Sequence, residues 1–165
     1  MLLDHLARRW RLPAFRRGER ARDTEGQAGG TRVRLLKPMT YMNRSGAALA
    51  SLRARTDFDA SGDLLVLVDE VALPAGTFRL RGAGSAGGHN GLKSVEAALQ
   101  RQDYARLRIG VGPKPAGVDD LTDYVLGELT PEEREAIEAL LDPMAEAVEC
   151  WLAEGIERAM NQFNR

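Results

Sequence analysis

The 165-residue sequence predicts a single α/β domain, and three observations carry that prediction. Leu64 to Val68 is an unbroken apolar run, of the kind that fills a strand buried on both faces. A helical pattern from Gly91 to Leu99 is followed by the alternating strand pattern Arg106 to Val111. Thr130-Pro131-Glu132-Glu133 is a helix start, with a threonine cap, proline at the first position and glutamate closing a capping box. A chain of this length can bury its own core, and no internal repeat or domain boundary interrupts it.

The elements follow in order. Leu2, Leu3, Leu6 and Trp10 recur at helical spacing, and Pro13 ends that opening helix. Residues 14 to 30 are polar and glycine-rich and read as a turn or mobile hairpin tip. Arg16, Arg17, Arg20 and Arg22 within them read as solvated, at best helping to attract RNA. Arg32 to Leu36 reads as a strand that Lys37-Pro38 closes, because proline cannot donate to a ladder. Ser45-Gly46 leads into the helix pattern Ala47, Leu49, Ala50, Leu52. Tyr41, Met42 and Asn43 thus stand at a strand-to-helix junction, where binding residues often lie. The Asn43 amide, with donors and acceptors, can orient a water or a carbonyl. Taken on the residues alone, capping of the helix start is the favoured reading.

The stretch from 63 to 94 is the centre of the chain. Its apolar run stops at Asp69-Glu70, and ligand sites in open α/β sheets gather at the carboxyl ends of such strands. The bland alternative is that these acids only solvate the strand exit. Arg79 and Arg81 alternate with Phe78 and Leu80, so a short strand puts both arginines on one face. Glycines at 82, 84, 87, 88 and 91 imply unusual backbone conformations or a close approach, and they hold the polar pair His89-Asn90. No Walker pattern and no dinucleotide fingerprint is present.

Beyond Val111, Gly112 to Gly117 reads as a loop and Val118 to Leu126 as a short helix that Gly127 breaks. The last helix carries the apolar stripe Ile137, Leu140, Leu141, Met144, Val148, Trp151 and Leu152, a core face. Pro143 should kink or restart it.

Composition excludes some function classes. Hydrophobic content of 44% with 28% charged residues is that of an ordinary globular chain. No apolar stretch reaches membrane-span length, and the start MLLDHLARRW places charges too early for a signal peptide. The lone Cys150 cannot form an internal disulfide, which fits a reducing cytoplasm; in a helical pattern it reads as a buried structural thiol. Two histidines and one cysteine without ligand spacing indicate no metal site. The net charge of −1 conceals an asymmetry. Residues 1 to 115 carry 20 basic and 11 acidic side chains, a net of +9, against 3 and 13, a net of −10, in the remainder. A basic body with an acidic tail implies a polyanionic partner for one face, although the tail also serves simply to solvate a helix.

Three motifs in order, KPMTYMNRSG at 37–46, LLVLVDEVALPAGTFRLRGAGSAGGHNGLKS at 64–94 and GIERAMNQFN at 155–164, resemble those of the bacterial peptidyl-tRNA hydrolases. The resemblance runs from Met1 to the C-terminus. It implies a single α/β domain with helices around a twisted mixed sheet, no metal and no cofactor. It also implies a monomer whose partner is peptidyl-tRNA. Members of the family cut the ester that joins a stalled peptide to the 3′ ribose of tRNA. A histidine acts as general base on a water, and an aspartate holds that histidine in its productive tautomer. By motif, Asp69 is that aspartate. Asn43 and Asn90 match the asparagines that hold substrate and water, Tyr41 the aromatic position beside the first, and Met42 a methionine lining the cleft. His89 matches a loop histidine that lines the site without being the base. Arg79, Arg81 and Arg108 fall where the family carries basic residues facing tRNA. Residues around 117 to 127 resemble the segment that covers the peptide crevice.

The resemblance also carries a departure. In the family a first strand, a turn bearing another asparagine, and the catalytic histidine precede the helix that here begins at Met1. His5 lies inside that helix. The reading is therefore a domain truncated at its N-terminus relative to the family, inactive and less stable as written, whose activity an upstream histidine-bearing segment restores. The runner-up is a non-catalytic RNA-binding or scaffold protein of the same fold, since fold does not fix function.

Overall fold

The computed structural model describes residues 1–112 and 130–164. The chain is α/β, and its described residues form two compact units. One comprises Leu3–Leu64 and Gly82–Ala105. The other comprises Met1–Leu2, Leu65–Arg81 and the described residues from Arg106 onward.

The unit built on Leu3–Leu64 begins with α1 (Leu2–Arg9), which buries Leu6 and Ala7. The helix stops before Pro13. Arg11 takes a left-handed conformation (φ 53°), its N–H donates to the Arg8 carbonyl at 3.1 Å, and the Leu12 N–H donates to the Ala7 carbonyl at 2.8 Å. That is a Schellman ending with arginine where glycine is usual. Strands β1 (Arg16–Arg17), β2 (Ala21–Ala28) and β3 (Thr31–Pro38) form an antiparallel sheet in that order. The expected turn or mobile tip over 14 to 30 is thus mostly strand. Only Gly29-Gly30 is the tip, with φ of 54° and 86° and Ala28 paired to Thr31, as a two-residue hairpin loop needs. The strand was hidden because its inward positions are small or polar. Thr24 is buried and donates its hydroxyl to the Pro13 carbonyl at 2.7 Å.

After β3 the chain enters a 3-10 helix (Met42–Leu49) that continues as α2 (Ala50–Arg53); the short α3 (Ala60–Asp63) follows. Helix α4 (Asn90–Leu99) packs against the 3-10 helix. The Gly46 N–H donates to Ser94 Oγ at 3.0 Å, and a Cβ on Gly46 would stand 2.2 Å from the Ser94 carbonyl oxygen. Only glycine allows that approach. Ala48, Leu49, Leu92 and Val95 fill the interface.

The unit built on Leu65–Arg81 holds β4 (Leu65–Pro74), β5 (Phe78–Arg81) and β6 (Ala105–Gly112), in the order β4-β6-β5. β5 and β6 are antiparallel, with Arg79 opposite Arg108 and Leu80 opposite Leu107. Leu80 and Leu107 are fully buried. Two expectations are corrected. The strand does not stop at Asp69-Glu70 but runs on to Pro74, and of its ten residues only Val68 is fully buried. Among the described residues β4 is an outer strand of its sheet, covered by a neighbouring strand from one side only.

Helices α5 (Pro131–Glu138), α6 (Leu141–Glu154) and α7 (Ile156–Phe163) complete this unit. The predicted capping box is present: Glu133 N–H donates to Thr130 Oγ1 at 3.2 Å and Thr130 N–H to Glu133 Oε2 at 2.9 Å. Pro143 sits in the first turn of α6, so the helix restarts there as expected. Met144, Ala145, Ala147, Val148 and Ala159 are the buried centre of the helical face. The loop expected after Gly112, the helix over Val118 to Leu126 and the crevice-covering segment fall on 113–129, outside the described residues.

Candidate functional site

Five of the predicted site residues gather where the 3-10 helix and α4 begin. A Cβ on Gly91 would lie 2.7 Å from the Met42 sulfur and 2.9 Å from the His89 ring, so the two helix starts abut there. Asn43 follows Met42 and Asn90 precedes Gly91, so the two asparagines flank that contact. Both are exposed, and among the described residues no hydrogen bond occupies either amide. The capping alternative for Asn43 is overturned. Tyr41 is the N-cap residue, with no side-chain cap bond, and Asn43 sits one residue inside the first turn. Each amide therefore keeps its donors and its acceptor for a ligand.

Beside them Tyr41 is 82% exposed, and Met39 and Met42 are exposed with it. Met39, Thr40, Tyr41 and Arg44 line a shallow hollow. Isolated exposed apolar residues are ordinary, but Met39 and Tyr41, which line the same hollow, offer it a surface for an apolar or planar group.

The ring of His89 has a structural task. Its Nδ1 accepts from the N–H groups of Gly91 at 3.1 Å and Leu92 at 3.3 Å, which makes it the N-cap of α4. Accepting at Nδ1 assigns the ring proton to Nε2. The unusual backbone expected of the glycine loop is present, with positive φ at Gly84, Gly87 and Gly88. That conformation delivers His89 and Asn90 to the helix start.

The remaining predicted residues belong to the β4-β6-β5 sheet. Arg79 and Arg81 are both exposed, on the face opposite buried Leu80, as the alternation predicts. Arg108 lies directly across from Arg79, and it is not a free cation. Its Nε donates to Glu70 Oε2 at 2.9 Å and its Nη2 donates to the same oxygen. Asp69 is half-buried on β4 beside Glu70, and consecutive strand residues leave opposite faces. Sequence reasoning noted Glu70 only as the second acid of a pair. Its partner lies 38 residues away, and only the pairing of β4 with β6 brings them together. Among the described residues no three His, Cys, Asp or Glu side chains are grouped so as to hold a metal ion. No helix of the described residues is long and apolar enough to cross a membrane.

Comparison with known proteins places these features in context. The family model described as peptidyl-tRNA hydrolase matches residues 1–165. The chain is 45% identical to a peptidyl-tRNA hydrolase of Gemmatimonas aurantiaca, over 99% of this chain and 87% of that one. It is 46% identical to one from a Synechococcus strain, over 99% of this chain and 73% of that one. The crystal structure of peptidyl-tRNA hydrolase from Acinetobacter baumannii superimposes with a TM-score of 0.89 at 30% identity, covering 99% of this chain and 82% of that one.

Proposed function

The chain belongs to the peptidyl-tRNA hydrolase family, and from that premise we propose that it hydrolyses the ester between the peptide and the 3′ ribose of peptidyl-tRNA, returning free tRNA to translation. The observation that carries this reading is the family match across all 165 residues, with Asp69, Asn43 and Asn90 standing at the motif positions that do the chemistry.

In this reading a water adds to the acyl carbon while a histidine base, carried by the upstream segment that restores activity, takes its proton. The bond to the ribose oxygen then breaks, and that oxygen leaves protonated as the 3′ hydroxyl. Asp69 accepts the ring N–H of the histidine and fixes its tautomer. The amides of Asn43 and Asn90, unoccupied by any described residue, hold the water and donate to the carbonyl oxygen as negative charge develops on it. His89 is not assigned as the base, because its Nδ1 is committed to the cap of α4. His5, within α1, is not assigned either. Tyr41 and Met42 pack against the substrate, and Arg79, Arg81 and Arg108 meet tRNA phosphates. The protein acts as a single-domain monomer in the cytoplasm, where a lone thiol stays reduced; elution as a dimer would contradict the first part.

The test is release of peptide from a purified peptidyl-tRNA. Little release by the chain as written, release by a form that carries an upstream histidine-bearing segment, and a loss on the order of 10²- to 10⁴-fold when Asp69→Ala is made in that active form, are the expected results. Equal rates for that form and its Asp69→Ala variant would overturn the role of Asp69. Tight binding of tRNA by that form without any release would favour a non-catalytic RNA-binding protein.

A further inference from the structure

Antiparallel register sets Arg79 of β5 directly opposite Arg108 of β6, with Arg81 opposite Arg106. Like charges directly opposed on neighbouring strands repel each other. Arg106 is buried, while Arg79 and Arg81 are exposed and have no carboxylate partner among the described residues. Arg108 differs from Arg79 and Arg81. It is 32% exposed and is clamped by Glu70, itself 19% exposed, on β4.

The Glu70 carboxylate is anchored at both oxygens. Oε1 accepts the N–H of Ala72 at 3.0 Å, while Oε2 takes both Nε and Nη2 of Arg108. A guanidinium has two edges for bidentate binding. Glu70 occupies the side made by Nε and Nη2. Among the described residues the Nη1 end has no partner, and it is the part left to meet a ligand.

We propose that Glu70 is a positioning residue for tRNA: it immobilises the Arg108 guanidinium in advance, so that its Nη1 end and Arg79 together engage the phosphate backbone. This rests on the reading that Arg108 faces tRNA. The gain lies in ordering. A long arginine side chain that must be fixed during binding weakens the complex by roughly 2- to 12-fold, and one already fixed does not. A carboxylate beside a phosphate site also repels the ligand, so a comparison with wild type alone would mix the two effects. Glu70→Gln and Glu70→Ala lose the same charge, but only glutamine keeps an oxygen able to accept from Arg108. Their difference therefore isolates the hold.

The experiment measures dissociation constants for uncharged tRNA across a salt series, using the full chain. Glu70→Ala is expected to bind roughly 2- to 12-fold more weakly than Glu70→Gln, and this gap is expected to vanish when both are made in an Arg108→Ala background. Equal binding by the two variants would overturn the proposal. So would a gap that survives without Arg108, which would mark Glu70 as a general support of the sheet. Should Glu70→Ala fail to fold, Glu70→Leu, equally uncharged and without an oxygen to accept from Arg108, takes its place in the same comparison. The underlying reading is checked separately. Arg108→Ala alone should weaken binding and lower the salt slope by about one; unchanged binding would remove Arg108 from the tRNA surface, and the role of Glu70 with it.

Discussion

At the scale of single residues, the sequence exposed some roles and concealed others. Asn43 stood at a helix start, where an asparagine usually caps. That habit is what misleads, because the 3-10 helix begins one residue earlier and leaves the amide unengaged by any described residue. His89 was concealed in the opposite sense. Histidine is not a preferred cap, yet its Nδ1 accepts from two N–H groups of α4. His89→Ala should therefore cost about 1 kcal/mol of stability in urea unfolding, and His89→Asn should recover most of it; equal stability of all three would remove the cap. Cys150, expected to be a buried structural thiol, is only half-buried on α6. Burial first, and then the charge of Glu154, raise its pKa above the ordinary thiol value. At neutral pH it is held as the unreactive thiol. Iodoacetamide should label it slowly in the folded protein and readily in urea, and equal rates would contradict this.

At the scale of elements, strands with apolar alternation and helices with caps were legible, and those held by distant partners were not. β2 carries no hydrophobic alternation, so its sequence reads as loop; pairing along the whole of β3 makes it a strand. The end of α7 is a second case. Asn164 accepts the Leu80 N–H at 2.7 Å and donates to the Leu80 carbonyl at 2.9 Å, so its amide continues the hydrogen bonding of the outer strand β5. The motif containing Asn164 gave no hint of this, because the contact spans 84 residues. Asn164→Ala leaves two backbone groups unpaired, and a loss of about 1–3 kcal/mol is expected in urea unfolding; no change would mean that water replaces the amide.

Lys37 likewise proves to be more than the close of β3. Its ammonium pairs with Asp4 of α1 and lies 4.2 Å from the centre of the Phe15 ring. The Lys37 hydrogen bond holds the Asp4 carboxyl below its ordinary value of 3.8. A depressed folded value means that the pair stabilises above the ordinary carboxylate range and is lost as pH falls through the folded value. Asp4→Asn should thus be slightly less stable than the natural chain at pH 7, the side chains being partly exposed, and equally stable in strong acid. A difference that persists in acid would contradict the assignment.

At the scale of the whole molecule, class and family were legible because they rest on local signals: the apolar run of β4, the capping box of α5, and three motifs in order. The division of the strands between two sheets was not, since hydrogen-bonding partners far apart in sequence decide it. The charge asymmetry, +9 against −10, belongs to this scale too. It implies that tRNA binding weakens steeply with salt, as counterion release requires. The central claim concerns the two amides left open at the abutting helix starts. Its most direct test is the rate of ester release from peptidyl-tRNA in Asn43→Ala, Asn90→Ala and the double variant, each made in the form whose activity the upstream histidine-bearing segment restores. If both amides serve one ester, each single change should slow release strongly and the double should cost less than the product of the two. Full activity in both single variants would contradict the account.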